Sequence, residues 1–245
     1  MRESEHHLFY SGNIADGAIL LDNGEANHAV SVLRVKLNQQ LQITDGKGVI
    51  YDCECSDILK QSVLCKIINK TQTPKIIPEL TLLAGLPDKE HFETILEYAT
   101  ALGVSRVVPL LMDHCRKPWW GSWEKAYPRL VSKMIVSMKQ CLYPYIPQLD
   151  APVPLDNALG EIDAHSGTLI IADQSGRKLV DADIPQHKKI SCLVGPPGGA
   201  SASELKTLES RASAQPALIV KIAPTRLRTE LAATLLCSRV IAARL

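Results

Sequence analysis

Residues 190–204 read ISCLVGPPGGASASE, and residues 217–230 read ALIVKIAPTRLRTE. Each stretch opens on a short apolar run, Ile190–Val194 and Ala217–Ile222, bounded by turn residues. Runs this short read as buried strands rather than helices. The first ends in Gly195-Pro196-Pro197-Gly198-Gly199, which neither a helix nor a strand interior accommodates. Glycine there lets the backbone turn at positive φ and lets another group come close to the main chain. Ser201-x-x-Glu204 is a capping box for an amphipathic helix over Leu205–Arg211. The second stretch repeats the plan, with a turn at Ala223-Pro224-Thr225 and a helix start at which Thr229 is the expected N-cap. Two such junctions predict two loops facing one pocket, where backbone N–H groups meet a ligand. Neither G-x-x-x-x-G-K-[ST] nor G-x-G-x-x-G occurs here, which argues against a P-loop and a Rossmann dinucleotide site. On the first loop alone, an ordinary strand-to-helix turn or a phosphate-binding enzyme of another class fits as well.

Outward from these loops, the chain has 245 residues, room for one large domain or a small one and a medium one. At 46% apolar residues it can fill a core. The net charge of +1 gives no bulk argument for a polyanionic partner, but local charge does. Residues 116–139 hold six basic side chains against one acidic, and residues 221–245 hold five against one. Seven scattered cysteines include no C-x-x-C and no metal spacing with histidine, which predicts a reduced, cytoplasmic protein without a metal. No apolar run reaches membrane-spanning length, so no membrane partner is expected.

Residues 1–73 read as a small β domain. Ala18–Leu21, Gln40–Thr44, Val49–Cys55 and Ser62–Ile68 carry strand formers, Asp45-Gly46-Lys47-Gly48 makes a hairpin turn, and Glu25–Arg34 is one short helix. The prolines in 73–79 mark a linker. Leu80–Leu86 is then a strand, Asp88 caps a helix that Gly103 ends, and Arg106–Leu111 is the next strand. This βαβ order predicts a parallel sheet. Leu130–Leu142 is amphipathic, with Arg129, Lys133, Ser137 and Gln140 on its polar side. Thr168–Ala172 is a further strand ended by Asp173-Gln174-Ser175-Gly176, and Glu230–Leu245 is a helix apolar around most of its circumference, which predicts burial.

The pair GPPGG-x-S-x-x-E and LRTE-x-A resembles the SPOUT class of RNA methyltransferases, and within it the ribosomal RNA small subunit methyltransferase E family. That family carries G-P-E-G-G and L-G-x-x-x-L-R-T-E-T-A in this order. The resemblance covers essentially the whole chain and is strongest in the last sixty residues. It implies an α/β fold: a trefoil-knotted parallel-sheet domain over 74–245, preceded by a PUA-like RNA-binding β-barrel domain over 1–73. It implies S-adenosyl-L-methionine as the methyl donor, held by Val194, Gly195, Pro196, Gly198, Gly199, Ile222, Ala223, Leu227 and Thr229. It also implies N3 of a uridine in 16S ribosomal RNA of the small subunit as the acceptor, and a homodimer.

The acceptor's N3–H must leave before the nitrogen can attack, and a fixed positive charge stabilises the resulting anion. Arg228, on the second loop, is the expected catalytic residue, with Arg34, Lys139 or Arg226 as substitutes. Arg34 reads equally as a phosphate contact or as a solvated helix-end charge, and the polar face with Arg129, Lys133 and Gln140 reads from periodicity as solvated, while the resemblance implies that Arg34, Arg129, Lys133, Lys139 and Gln140 meet the RNA. Three departures bear on activity. The family's glutamate is Pro197, its second-loop glycine is Ala223, and a following arginine is Thr225. At the end of the basic helix, where the family carries E-Q-S/C-G-R, this chain has Lys139-Gln140-Cys141-Leu142-Tyr143. The alternatives are therefore a catalytically impaired ribosome-binding or RNA-binding protein of the same fold, or a SPOUT enzyme acting on another RNA.

Overall fold

The computed structural model describes residues 7–15, 17–75, 79–116, 118–164, 167–180, 184–186, 189–214 and 217–244. Residues 76–78 of the expected linker lie outside the described residues. The chain forms two compact units, Met1–Lys75 with Ile135–Ile146, and Ile76–Met134 with Pro147–Leu245.

The first unit is a mixed six-stranded sheet. Its strands are β1 (Leu8–Tyr10), β2 (Ile14–Ala15), β3 (Ala18–Asp22), β4 (Gln40–Thr44), β5 (Val49–Ile58) and β6 (Ser62–Gln72), in spatial order β1-β4-β5-β6-β3-β2. Alternate residues of β3 turn inward, so Ile19 and Leu21 are buried with Phe9, Ile43, Cys53, Cys55, Val63 and Cys65. The hairpin turn is present, with φ 71° at Gly46 and 103° at Gly48, and Tyr145 packs where a side chain on Gly48 would lie. The expected helix Glu25–Arg34 is instead α1 (Asn23–Asn27) followed by a π turn over His28–Val32. Arg34 then takes a left-handed φ of 52°, which ends any helix.

The second unit is a parallel sheet. Its elements are β7 (Leu80–Gly85), α2 (Lys89–Ala101), β8 (Arg106–Leu111), the part of α3 (Trp123–Cys141) before Ile135, β9 (Gln148–Leu149), β10 (Val153–Pro154), α4 (Leu155–Ala164), β11 (Thr168–Lys178), β12 (Ile190–Val194), α5 (Ala202–Ala214), β13 (Ala217–Lys221) and α6 (Thr229–Ala242). The order is β10-β8-β7-β12-β11-β13, with β9 also against β8, and every pair is parallel. All five residues of β12 are buried, as a central parallel strand requires. From β7 the chain continues to β8 on one side, and from β12 toward β13 on the other. The carboxyl ends of β7 and β12 therefore mark a switch point, where open α/β sheets bind ligands.

Three expectations change here. Strand β11 does not stop at Ala172. It resumes against β13 from Arg177 after a register break, and Gly176 permits this because a Cβ there would meet the Ile219–Val220 backbone. Helix α3 begins at Trp123, before the expected start at Leu130. Pro128 forfeits its bond to the Glu124 carbonyl on an exposed face. Ser137, expected on the solvated side of that helix, is buried.

Candidate functional site

The glycine loop leaves β12 at the switch point and is held from several directions within the second unit. Gly85, at the end of β7, lies against it so closely that a Cβ would come within 2.8 Å of Gly195 C and closer still to Pro196 N. Gly199 N donates to Pro196 O at 2.7 Å, and Gly199 takes φ 77°, a conformation glycine adopts without penalty. His114, after β8, is hydrogen-bonded through Nδ1 to Gly199 O at 3.0 Å. The capping box forms as read. Ser201 N donates to Glu204 Oε2 at 2.7 Å and Glu204 N to Ser201 Oγ at 3.3 Å. Glu204 Oε1 also accepts from Asp113 N at 2.9 Å, and Ser201 Oγ donates to Asp113 Oδ2 at 2.6 Å.

The second loop closes onto the first. Thr229 Oγ1 donates to Gly195 O at 3.1 Å, Arg226 Nη2 reaches Pro197 O at 3.5 Å, and Gln174 Nε2 donates to Thr225 O at 2.9 Å. Thr229 is therefore not the N-cap. Arg228 holds that position with an extended backbone and no side-chain cap, and Thr229 begins α6 with its hydroxyl turned to the glycine loop. Between the loops lies a cavity of about 1050 Å³, open mouth included. Ile171, Leu193, Leu205, Leu208, Ile222 and Leu227 give it apolar walls, and the Gly195–Gly199 main chain gives it a polar edge.

Of the expected donor residues, Val194, Gly195, Pro196, Gly198, Gly199, Ile222, Leu227 and Thr229 line this cavity, and Ala223 does not. Ala223 is absent from the residues with positive φ, so alanine replaces glycine there without left-handed strain. Pro197 lines the wall, and its carbonyl serves Arg226 although it has no N–H. Arg228 is exposed, its side chain forms no hydrogen bond or ion pair among the described residues, and it is not part of the wall, whereas Arg226 is. Gly85, Asp113, His114 and Gln174 were not expected. Their common signal is position, at the end of β7, just after β8 or just past Ala172 in β11.

The basic side chains are less free than the sequence implies. Arg129 Nη2 donates to Glu93 Oε2 at 3.0 Å, while its Nε lies 2.7 Å from Oε1 without hydrogen-bond alignment. Lys133 donates to Glu97 at 2.9 Å. These contacts raise the affinity of both groups for their protons through hydrogen bonds to Glu93 and Glu97. Lys139, in the first unit, is paired with Glu25. Arg34 and Gln140, also in the first unit, are exposed.

Comparison with known proteins bears on both units. A family model described as an RNA methyltransferase domain matches residues 74–241, and one described as an RNA methyltransferase PUA domain matches residues 21–68. The chain is 28% identical to the ribosomal RNA small subunit methyltransferase E of Aquifex aeolicus, covering 92% of this chain and 95% of that protein. It is 27% identical to the protein of that name from Mycobacterium bovis, covering 92% and 87%. In structure it is similar to the ribosomal RNA small subunit methyltransferase E of Neisseria gonorrhoeae bound to S-adenosyl methionine, with TM-score 0.81, 23% identity and 96% of each chain covered. A methyltransferase of Legionella pneumophila with bound SAM gives TM-score 0.85 at 24% identity, covering 98% of each chain. At these identities the structural likeness speaks to the fold. Among the described residues no helix is long and apolar enough to cross a membrane, and no three metal-binding side chains cluster.

Proposed function

We propose that this chain, which belongs to the RNA methyltransferase family, transfers the methyl group of S-adenosyl-L-methionine to N3 of a uridine in 16S ribosomal RNA. The observation that carries this reading is the cavity at the carboxyl ends of β11 and β12, walled by both diagnostic loops at once. Its lining suits an adenosine-bearing donor, with apolar side chains for a flat base and main-chain groups beside them. Gly85, Gly198 and Gly199 are positions where the cradle depends on a missing Cβ or on positive φ, Gly198 because its Cβ would meet the His114 side chain. The bound donor supplies a sulfonium-activated methyl group, so the protein's own task is to position and to stabilise charge. Thr229 and Arg226 brace the glycine loop that holds the donor. Arg228, exposed and unpaired among the described residues, stabilises the uridine N3 anion, with Arg226 as its neighbour on the cavity wall.

In this reading residues 74–245 carry the chemistry in a trefoil-knotted path, and residues 1–73 hold RNA in the cytoplasm, where the small subunit is found. Arg34 and Gln140 approach phosphates directly, and Arg129, Lys133 and Lys139 do so by exchanging a carboxylate for a phosphate. A homodimer covers the side of α6 on which Leu231 is 47% exposed. Retained catalysis, rather than an inert relative of the same fold, is favoured by the loop geometry, since neither Pro197 nor Ala223 disrupts it. Calorimetry with S-adenosyl-L-methionine tests the donor site. Saturable heat abolished by S-adenosylhomocysteine is expected, and no heat with no competition refutes it.

A further inference from the structure

All three tryptophans of the chain fall within residues 119–123. Their surroundings divide them. Trp119 is anchored, its Nε1 donating to Pro87 O at 2.9 Å and its ring 5.7 Å from fully buried Phe92. Trp123 lies 5.9 Å from Trp119 and 6.4 Å from Tyr127, which is 39% exposed. Trp120 touches the cluster only by its edge, 6.3 Å from Trp119 at 70°, and its indole N–H has no partner among the described residues. The rings thus run from the core outward, with each of the three tryptophans half-buried and Tyr127 the most open of the group.

The cluster lies at the end of the sheet that bears the cavity. Pro87 follows Gly85, which packs on the glycine loop, and the segment carrying the tryptophans follows His114, which is bonded to Gly199 O. Arg116 and Lys125 bracket the tryptophans, are exposed, and have no ion-pair partner among the described residues. Half-buried aromatic rings beside unpaired cations are how proteins hold single-stranded nucleic acid, the base stacking on the ring's accessible part and the cation taking the phosphate. A second copy of this chain fits less well, because a self-contact would set these cations against one another.

We propose that Trp120, supported by Trp119 and Trp123 and flanked by Arg116 and Lys125, is a stacking platform for an unpaired base of the substrate RNA next to the acceptor nucleotide. The proposal rests on the RNA substrate assigned above but not on the donor. Because every tryptophan lies in this segment, fluorescence excited selectively at tryptophan reports on it alone. Titration of the full-length protein with a short single-stranded RNA of mixed sequence, without donor, is expected to quench the emission saturably. Trp120→Ala should weaken that RNA about tenfold or more, the range of one lost base–aromatic stack, and Trp120→Phe should restore most of it. Arg116→Gln should shallow the salt dependence by about 0.7 of a unit, as one lost phosphate contact on a single strand does. In turnover, Trp120→Ala should raise KM for RNA and leave kcat and donor affinity unchanged. Unchanged RNA affinity in Trp120→Ala and Arg116→Gln overturns the platform, as does a change in particle mass in place of a change in RNA affinity. Quenching by RNA in a protein that shows no donor heat would sink the transfer reaction and keep the platform.

Discussion

Substituting Gly85 by alanine adds one methyl group where β7 meets the glycine loop. The new Cβ would lie 2.8 Å from Gly195 C and nearer still to Pro196 N and Cδ, whereas ordinary contact begins at 3.4 Å. The opposing atoms are backbone and a proline ring, so no side chain can rotate away. The loop must retreat by about 0.6 Å or more, and in a close-packed interior such a shift is not absorbed locally. Overpacking of this kind costs about 1–3 kcal/mol. For a chain of this size that lowers Tm by about 2–4 °C for each kcal/mol. Donor affinity should fall by about tenfold to a hundredfold, since the displaced main chain is the cavity's polar edge. Gly199→Ala is the contrast. Its Cβ has room, with Arg226 Nη2 nearest at 3.6 Å, but φ 77° imposes about 1–2 kcal/mol of left-handed strain. Differential scanning fluorimetry and donor calorimetry on both variants supply the numbers. A Gly85→Ala protein with unchanged Tm and unchanged donor affinity would refute the close approach of β7 to the loop.

Three further outcomes are expected. Arg228→Ala should lower turnover by on the order of a hundredfold with little change in donor affinity or melting, since its guanidinium forms no ion pair among the described residues; partial rescue at raised pH, where more uridine is ionised, would separate charge stabilisation from a structural role. Leu231→Lys should convert a dimer to a monomer in light scattering without lowering monomer stability, because the site is 47% exposed within one chain; a monomeric wild type would remove α6 as a dimer face. Burial pushes the thiol of Cys53 up to about 11 and that of Cys65 up to about 12 from 9.0. The folded state therefore keeps protons that the unfolded chain releases, so this contribution is complete below about pH 9 and is lost as pH rises through 11 and 12. Thermal melts should show a shallower alkaline decline in Cys65→Ala than in the wild type.

The parts of the fold written in local pattern were legible. Arg106–Leu111 and Ile190–Val194 occupy the strands their apolar runs mark, Gly103 ends α2 at φ 74°, and the Ser201–Glu204 box closes as spaced. What depends on distant neighbours was not legible. No periodicity tells that β12 inserts between β7 and β11. Nor does it tell that Glu93 and Glu97 of α2 face Arg129 and Lys133, which turns an apparently free basic stripe into ion pairs. Residues 135–146 cluster with the first unit through Lys139–Glu25 and through Ile146 N to Gly46 O at 2.9 Å, pairings that a helical wheel of α3 alone cannot reveal. Leu142 shows local preference overridden. It takes φ 55° just past α3, a conformation that favours glycine and costs leucine about 1–2 kcal/mol. In the site, loop residues with special backbone needs could be found from sequence. Asp113, His114 and Gln174 could not, because their role comes from where parallel strands end.

The most direct test of the central claim is methyl transfer from labelled S-adenosyl-L-methionine to 16S ribosomal RNA in small subunits lacking the modification, followed by nucleoside analysis. The account predicts label in a single nucleoside, 3-methyluridine, made by the wild type and reduced by on the order of a hundredfold with Arg228→Ala. Donor binding without any transfer to 16S ribosomal RNA, or label on a different base, would contradict it.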